Sequence, residues 1–510
     1  MLNNFYMLHL TALDYLAAGL FICFVLFLGL STKLKENTMV QFLLAGRSLT
    51  LPVYVAAIVS SWYGGVLGIG EAITSFGVGT FTVLSIPYYF SALLYAFVFA
   101  KRIRHSKQIS IPERLSLRFG PKTGFFGSLL IFLIAIPAAH LLMMATLIQF
   151  LTGWDIALCL FFSATLCSFF LYKGGMFADA RLSIMACVMT FIGFIGILAT
   201  CLWTHPLTQT LSNIEKPLLS LDGGIGWTGI ISFALLAVWT LVDPTFHQKA
   251  ASASTEKISK QGLIISVTIW VIFDLMVLGI GIYGIALIPQ PLANPIALLP
   301  MMGDLYLPSG IKAIYLCGLI GTTLTAVVGY TLVSGSTFGK EIICQIWKKP
   351  EESTKIFWSR IGIIVSSLIG ITLALTMKSV VALWFAWAGC IVGSILLPVC
   401  LSYLKKQFNY LTSATVLTSL VTSFVVSFAW MLYAKTTHND NFEIRLSNGI
   451  TFSIGTVLPG LVVSSSVLGV GTLLSMAKSR KKDSEFGLGP RYPATHEFFP
   501  LADASSPIES

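Results

Sequence analysis

Residues 60–72 read SSWYGGVLGIGEA, inside a stretch from Leu51 to Phe76 that is otherwise apolar enough to bury in lipid. Four glycines and one glutamate in thirteen residues make a poor rigid helix. Each glycine costs about 1 kcal/mol relative to alanine in a helix interior. Loosened backbone at membrane depth survives only when it is packed in protein or lines a wet cavity. The segment therefore reads in one of two ways. It is an interrupted helix offering hydroxyls, an aromatic pair and freed main-chain oxygens as a site, or a run of small residues packed against a neighbouring helix.

The rest of the chain sets that stretch in a membrane. Of 510 residues, 55% are hydrophobic and 11% charged, against about 25% charged in soluble domains. Apolar runs extend from residue 10 to residue 476, which excludes a soluble domain on a single anchor. The nine cysteines are scattered without a CxxC pair, so neither a disulfide framework nor a zinc site is expected. The first residues, MLNNFYMLHLTALDYL, lack the basic region of a cleaved signal peptide, and 10–30 reads as a retained span.

A span needs about 20 mostly apolar residues. Thirteen candidates follow: 10–30, 52–75, 78–100, 124–151, 155–172, 182–203, 227–243, 262–288, 310–336, 357–376, 379–403, 411–434 and 450–476. The net charge of +10 first raises nucleic acid as a partner, but the basic residues sort by side instead. With the N-terminus outside, 27 of the 32 Lys and Arg fall in inner loops or the tail; Lys216, Lys312, Lys378, Lys435 and Arg445 fall outside. That bias sets the orientation and leaves no nucleic-acid surface to explain. The expected organisation is an all-α polytopic membrane domain over 1–476, with its core at about 52–403. A polar cytoplasmic tail over 477–510 is expected to be disordered.

Enzymatic motifs are absent or out of context. GIGIYG at 279–284 matches GxGxxG but lies in a span with no strand before it. No HExxH, GxSxG or kinase set occurs, so neither an enzyme nor an organic cofactor is expected. A channel would need a regular polar stripe, and no span has one. A membrane sensor would need a signalling domain that the tail cannot hold.

Five stretches in order carry a likeness. LAGRSLTLPVYVAAIVSSWYGGVLGIGEAITSFGVG, SIPERLSLRFG, YKGGMFADARLSIM, DPTFHQKAASASTEKISKQG and LTAVVGYTLVSGSTFGKEI resemble successive regions of the sodium:solute symporter family, over roughly residues 10–430. The resemblance implies a LeuT-like fold, with inverted five-helix repeats in spans 2–6 and 7–11 and extra helices at both ends. The residues themselves show less: spans 2 and 7 each carry an interruption, GG in one and VDPT in the other.

The resemblance also implies a sodium ion between spans 2 and 9. Its ligands would be the carbonyls of Ile58, Ser61 and Thr322 and the hydroxyl of Thr325. The family's second hydroxyl position falls on Ala326, its nearby aspartate on Ser183, and a usual arginine on Lys249. One ligand and one carboxylate are thus missing, and weakened cation binding is expected; Ser60, Thr323 or water are possible replacements. Sodium, proton and uncoupled transport stay open.

Ionisable residues inside spans are functional candidates because burying them costs several kcal/mol. Asp14, Glu71, His140 and Asp274 meet that description. Ser60, Trp62, Tyr63, Gly65, Glu71, His140 and Trp239 are candidates for the cavity, Ser183 and Asp274 for coupling or structure, and Asp243 for a gate or turn before Pro244. The expected function is secondary active transport of a small solute by alternating access, in the inner membrane of a bacterium. A proton-coupled or uncoupled transporter is the alternative, and an ion channel or sensor the alternative of another class. The partners are a small molecule or ion and the bilayer; substrate and oligomeric state are not readable.

Overall fold

The computed structural model describes residues 8–32, 36–348, 351–404, 410–439, 442–445 and 451–485. Their backbone is almost entirely helical. The helices are α1 (Ala12–Ser31), α2 (Leu51–Tyr63 and Val66–Phe76), α3 (Phe81–Ser106), α4 (Pro121–Thr152) and α5 (Ile156–Tyr172). Then come α6 (Gly174–Thr204), α7 (Gly226–Ser252), α8 (Glu256–Leu287), α9 (Ile311–Ile346), α10 (Glu352–Met377), α11 (Val380–Tyr403) and α12 (Ser413–Thr436). The last is α13 (Val457–Glu485). Many begin on a capping side chain, such as Thr11, Thr255, Ser379 and Thr412, which satisfies N–H groups that have no partner inside the helix.

Eleven of these helices are long and apolar enough to cross a membrane, and the bent pair α2 brings the number to twelve. The remaining predicted span, 155–172, is α5, which at 17 residues falls in the shorter class. It runs into α6 through Gly175, whose φ of +48° marks a sharp kink. A Cβ there would press on the Phe42 carbonyl at 2.6 Å, so glycine lets the joint fold against the chain before α2.

Two features depart from the expected outline. Glu443–Arg445 pairs antiparallel with Thr451–Ser453, a small hairpin that delays the start of the last helix from the predicted 450 to Val457. That helix then continues to Glu485, past the predicted end of the membrane domain at 476. The rest of the predicted tail, 486–510, lies outside the described residues.

α9 is the axis of the bundle. It packs against α1, α2, α4, α6 and α10, and nearly every residue from Ala313 to Ser336 is buried. α1, α12 and α13 turn long apolar faces outward, as lipid-facing helices do. At one end of the bundle, Lys340 of α9 bonds Glu113 at 2.6 Å and Glu341 at 2.7 Å, tying α9 to the short helix Ile111–Phe119.

Candidate functional site

The two halves of α2 meet at 43°. Gly64 and Gly65 make the joint: Gly65 leaves helical geometry, and the second half restarts with Gly68 N–H donating to Gly65 O at 2.9 Å. Gly64 is also where α2 touches α9. A Cβ on Gly64 would overlap the Ala326 methyl and stand 2.9 Å from the Thr322 carbonyl. VDPT interrupts α7 in the same manner. A 3-10 turn, Ala237–Leu241, gives way at Val242, and Asp243 caps the helix Pro244–Ser252.

A cavity of about 90 Å³ opens between these two interruptions. Ser61, Trp62 and Gly65 line it from α2, Ser85 and Tyr88 from α3, and His140 from α4. Trp239, Thr240, Asp243, Thr245 and Phe246 line it from α7, Tyr330 from α9 and Trp384 from α11. The wall is held by ring contacts. Trp62 stacks on Trp270 at 4.8 Å and meets Tyr88 edge-on at 4.8 Å, and His140 lies flat on Tyr330 at 4.6 Å. Asp243 is the carboxylate of the wall. Its Oδ1 accepts from the Thr245 and Phe246 N–H groups at 2.7 and 3.0 Å, and its Oδ2 from the Tyr330 hydroxyl at 2.5 Å. The indole N–H group of Trp239 is buried with no hydrogen-bond partner among the described residues.

The other face of the α2 joint is the cleft against α9 where the sequence resemblance puts sodium. Ile58, Thr322 and Thr325 are buried together there, with Ser61 at its edge toward the cavity. Two hydroxyls of the cleft are engaged with one another. Thr325 Oγ1 donates to Thr322 O at 2.8 Å and shares a hydrogen bond with Ser60 Oγ at 2.7 Å. Thr323 and Thr322 turn their hydroxyls back to helix carbonyls. Ala326 offers only a methyl, which fills the notch left by Gly64. A fully buried ammonium, Lys249 Nζ, donates to Ala57 O at 3.0 Å. The second hydroxyl and the nearby carboxylate that the resemblance implies for a sodium ion are absent here, the positions being Ala326 and Ser183.

The remaining predicted residues lie apart from the cavity. Glu71 joins the second half of α2 to the start of α11, accepting from Ser379 Oγ at 2.5 Å and Val380 N–H at 3.0 Å. Tyr63 stacks on Phe273 and donates to Ile269 O. Asp274 accepts from the Tyr89 hydroxyl at 2.5 Å. Ser183 is buried in α6 and donates to Asp179 O at 2.9 Å. Asp14 closes a capping box with Thr11 and accepts from Gly310 N–H. Tyr88, Tyr330 and Trp384 are cavity residues without a sequence signal of their own. Lys249 and Asp179 stood in view within the quoted HQKAAS and FADARLS stretches.

A bundle broken at two facing helices around an aromatic-lined cavity is the architecture of a membrane carrier. The chain belongs to the sodium:solute symporter family, whose sequence profile matches residues 42–411. Among curated relatives, High-affinity choline transporter 1 of Drosophila melanogaster is 22% identical over 400 residues, 72% of this chain and 62% of that protein. The protein of the same name from Caenorhabditis elegans is 22% identical over 401 residues, covering 72% and 68%. The chain thus spans less than two thirds of the fly relative's length. Among solved structures, a substrate-bound, outward-open Na+-coupled sialic acid symporter superposes with a TM-score of 0.63 at 16% identity, over 92% of this chain and 98% of that one. Mhp1, a nucleobase-cation-symport-1 family transporter in a closed conformation, superposes at 0.51 with 12% identity, over 88% and 96%. These likenesses establish the LeuT-like fold of the chain.

Proposed function

We propose that the protein is a secondary active transporter that carries a small organic cation across the membrane by alternating access around the α2 and α7 breaks. The observation that carries the reading is the cavity of about 90 Å³ between those breaks, with aromatic faces on several sides and one carboxylate, Asp243. Aromatic faces attract cations by about 0.5–2 kcal/mol each, and relatives are named as choline transporters. The transport domain would be 1–476, with the N-terminus outside and the C-terminus cytoplasmic, as the distribution of Lys and Arg favours. The same proposal places it in a bacterial inner membrane, which fractionation of the source cell checks. In this reading Trp62, Trp239, Tyr88, His140 and Ser61 hold the solute, and Glu71 latches the second half of α2 to α11.

Proteoliposome uptake tests the proposal. Labelled choline should enter saturably, compete with other small quaternary amines and exceed the uptake of a neutral sugar. Electrical current through the protein without saturation would replace the carrier with a channel. Saturable uptake of neutral or anionic solutes alone would remove the cation from the reading.

A further inference from the structure

We infer that Trp239 sets the specificity of the cavity, its indole N–H donating a hydrogen bond to an oxygen that the organic cation carries on a short arm. The inference rests on the organic-cation reading above and narrows it to cations bearing such an oxygen, as against bare alkylammonium ions. Trp239 is 8% exposed, and its Nε1 has no hydrogen-bond partner among the described residues. A buried N–H left without an acceptor is costly, and nearly every such group in a folded protein finds one. Trp239 lines the cavity, so the cavity is where an acceptor can be brought to it. The nearby Trp387 differs: its Nε1 donates to Leu133 O at 3.3 Å.

The cavity also has room for an arm. A lobe of about 20 Å³ lies beside it, and His140, Trp239, Tyr330 and Trp384 line both. A volume of that size admits one small group. Apart from the shared residues, the lobe is walled by apolar side chains such as Ile134, Ile136, Ala139 and Leu383. It abuts an interruption of α4, which ends one helical segment at Ile134 and begins the next at Ala138. Carbonyls released by that interruption already have donors: Leu133 O accepts from Trp387, and Phe132 O accepts from Ser334 Oγ at 3.2 Å. Asp243 belongs to the same α7 interruption as Trp239 and faces the same cavity. One break in one helix thus offers a carboxylate for the ammonium and a donor for the oxygen. A solute lacking the oxygen leaves the N–H unpaired, and sites built to hydrogen-bond a solute discriminate against such analogues.

The test is equilibrium binding of three labelled probes to the purified full-length protein: choline, glycine betaine and ethyltrimethylammonium. Ethyltrimethylammonium is choline without its hydroxyl, and betaine ends its arm in a carboxylate, which only accepts. At least one of the two oxygen-bearing probes should bind about fivefold more tightly than ethyltrimethylammonium. Which of them binds better tells a hydroxyl from a carboxylate. Trp239→Phe keeps an aromatic face and removes the N–H. It should bring the preference to near parity, with the loss falling mainly on the oxygen-bearing probe. Equal binding of all three by the wild type would overturn the inference and leave the organic-cation reading standing. A folded Trp239→Phe that keeps the full preference would do the same. If that variant yields no folded protein, Ala139→Val, which adds bulk to the lobe, takes its place: a reduced preference supports the inference and an undiminished one overturns it. Absence of saturable binding by all three probes would overturn the organic-cation reading and this inference together.

Discussion

The two faces of the α2 joint differ in kind. Toward α7 the joint opens onto a cavity walled by Trp62, Tyr88, Trp239, Tyr330 and Trp384. Toward α9 it is shut: the Ala326 methyl fills the notch at Gly64, and the hydroxyls of Ser60 and Thr325 bond one another. A single glycine pair thus serves two ends, loosening main chain for one face and admitting close helix contact on the other. The bend is present in this chain, while one of the two hydroxyl positions that the resemblance assigns to the ion is the Ala326 methyl.

Breaking the shut face should do the most damage. Gly64→Ala sets a methyl against Ala326 and the Thr322 carbonyl, and overpacking of this sort typically costs about 1–3 kcal/mol, more when backbone must move. A sharp loss of monodisperse protein in size-exclusion chromatography is expected, with partial recovery in Gly64→Ala combined with Ala326→Gly. Normal yield of the single variant would mean the two helices stand further apart than described.

The open face is probed next. Asp243→Asn keeps a side chain that caps helices about as well, so the melting temperature should change little. Removing the wall's negative charge should still weaken uptake of an organic cation by at least about tenfold, since such charges act over several ångströms at partial burial. Unchanged apparent affinity would remove Asp243 from the solute. Trp239→Ala should cost less, about 0.5–2 kcal/mol or roughly 2- to 30-fold in apparent affinity, with Trp239→Phe nearer the wild type. Competition against labelled choline gives both values.

The smallest effect is expected from Ala326→Ser. Restoring the second hydroxyl should change the sodium response little, because the Ser60 and Thr325 hydroxyls remain bonded to one another. A strong sodium dependence from this change alone would show that the missing ligand decides the cleft.

Much of this was legible because membrane burial makes certain residues expensive. The glycines at 64 and 65 and the VDPT break stand out against apolar runs, and both breaks flank the cavity. Of the cavity candidates, Trp62, Gly65, His140 and Trp239 line it and Ser60, Tyr63 and Glu71 do not, while Ser61, expected as an ion ligand, does. Tyr88, Tyr330 and Trp384 gave no such sign. Each is an aromatic in an ordinary span, and only the crossing of α3, α9 and α11 brings them together. The partners of Glu71 and Lys249 were hidden for a related reason: Ser379 is 308 residues from Glu71, and Ala57 is 192 from Lys249. Local pattern marks a buried charge as costly but does not say what, across the fold, offsets it.

Asp243 and Lys249 ride on one short rod. Asp243 caps the helix Pro244–Ser252, and Lys249 stands further along it, roughly 9 Å away at 1.5 Å per residue. A tug on the capping end is transmitted to the far end with little give. Any preference a passenger has for one tilt of this rod must return, in equal measure, as a change in how firmly the lysine is seated. Wiring of that kind lets cargo and closure inform one another with no diffusible messenger between them.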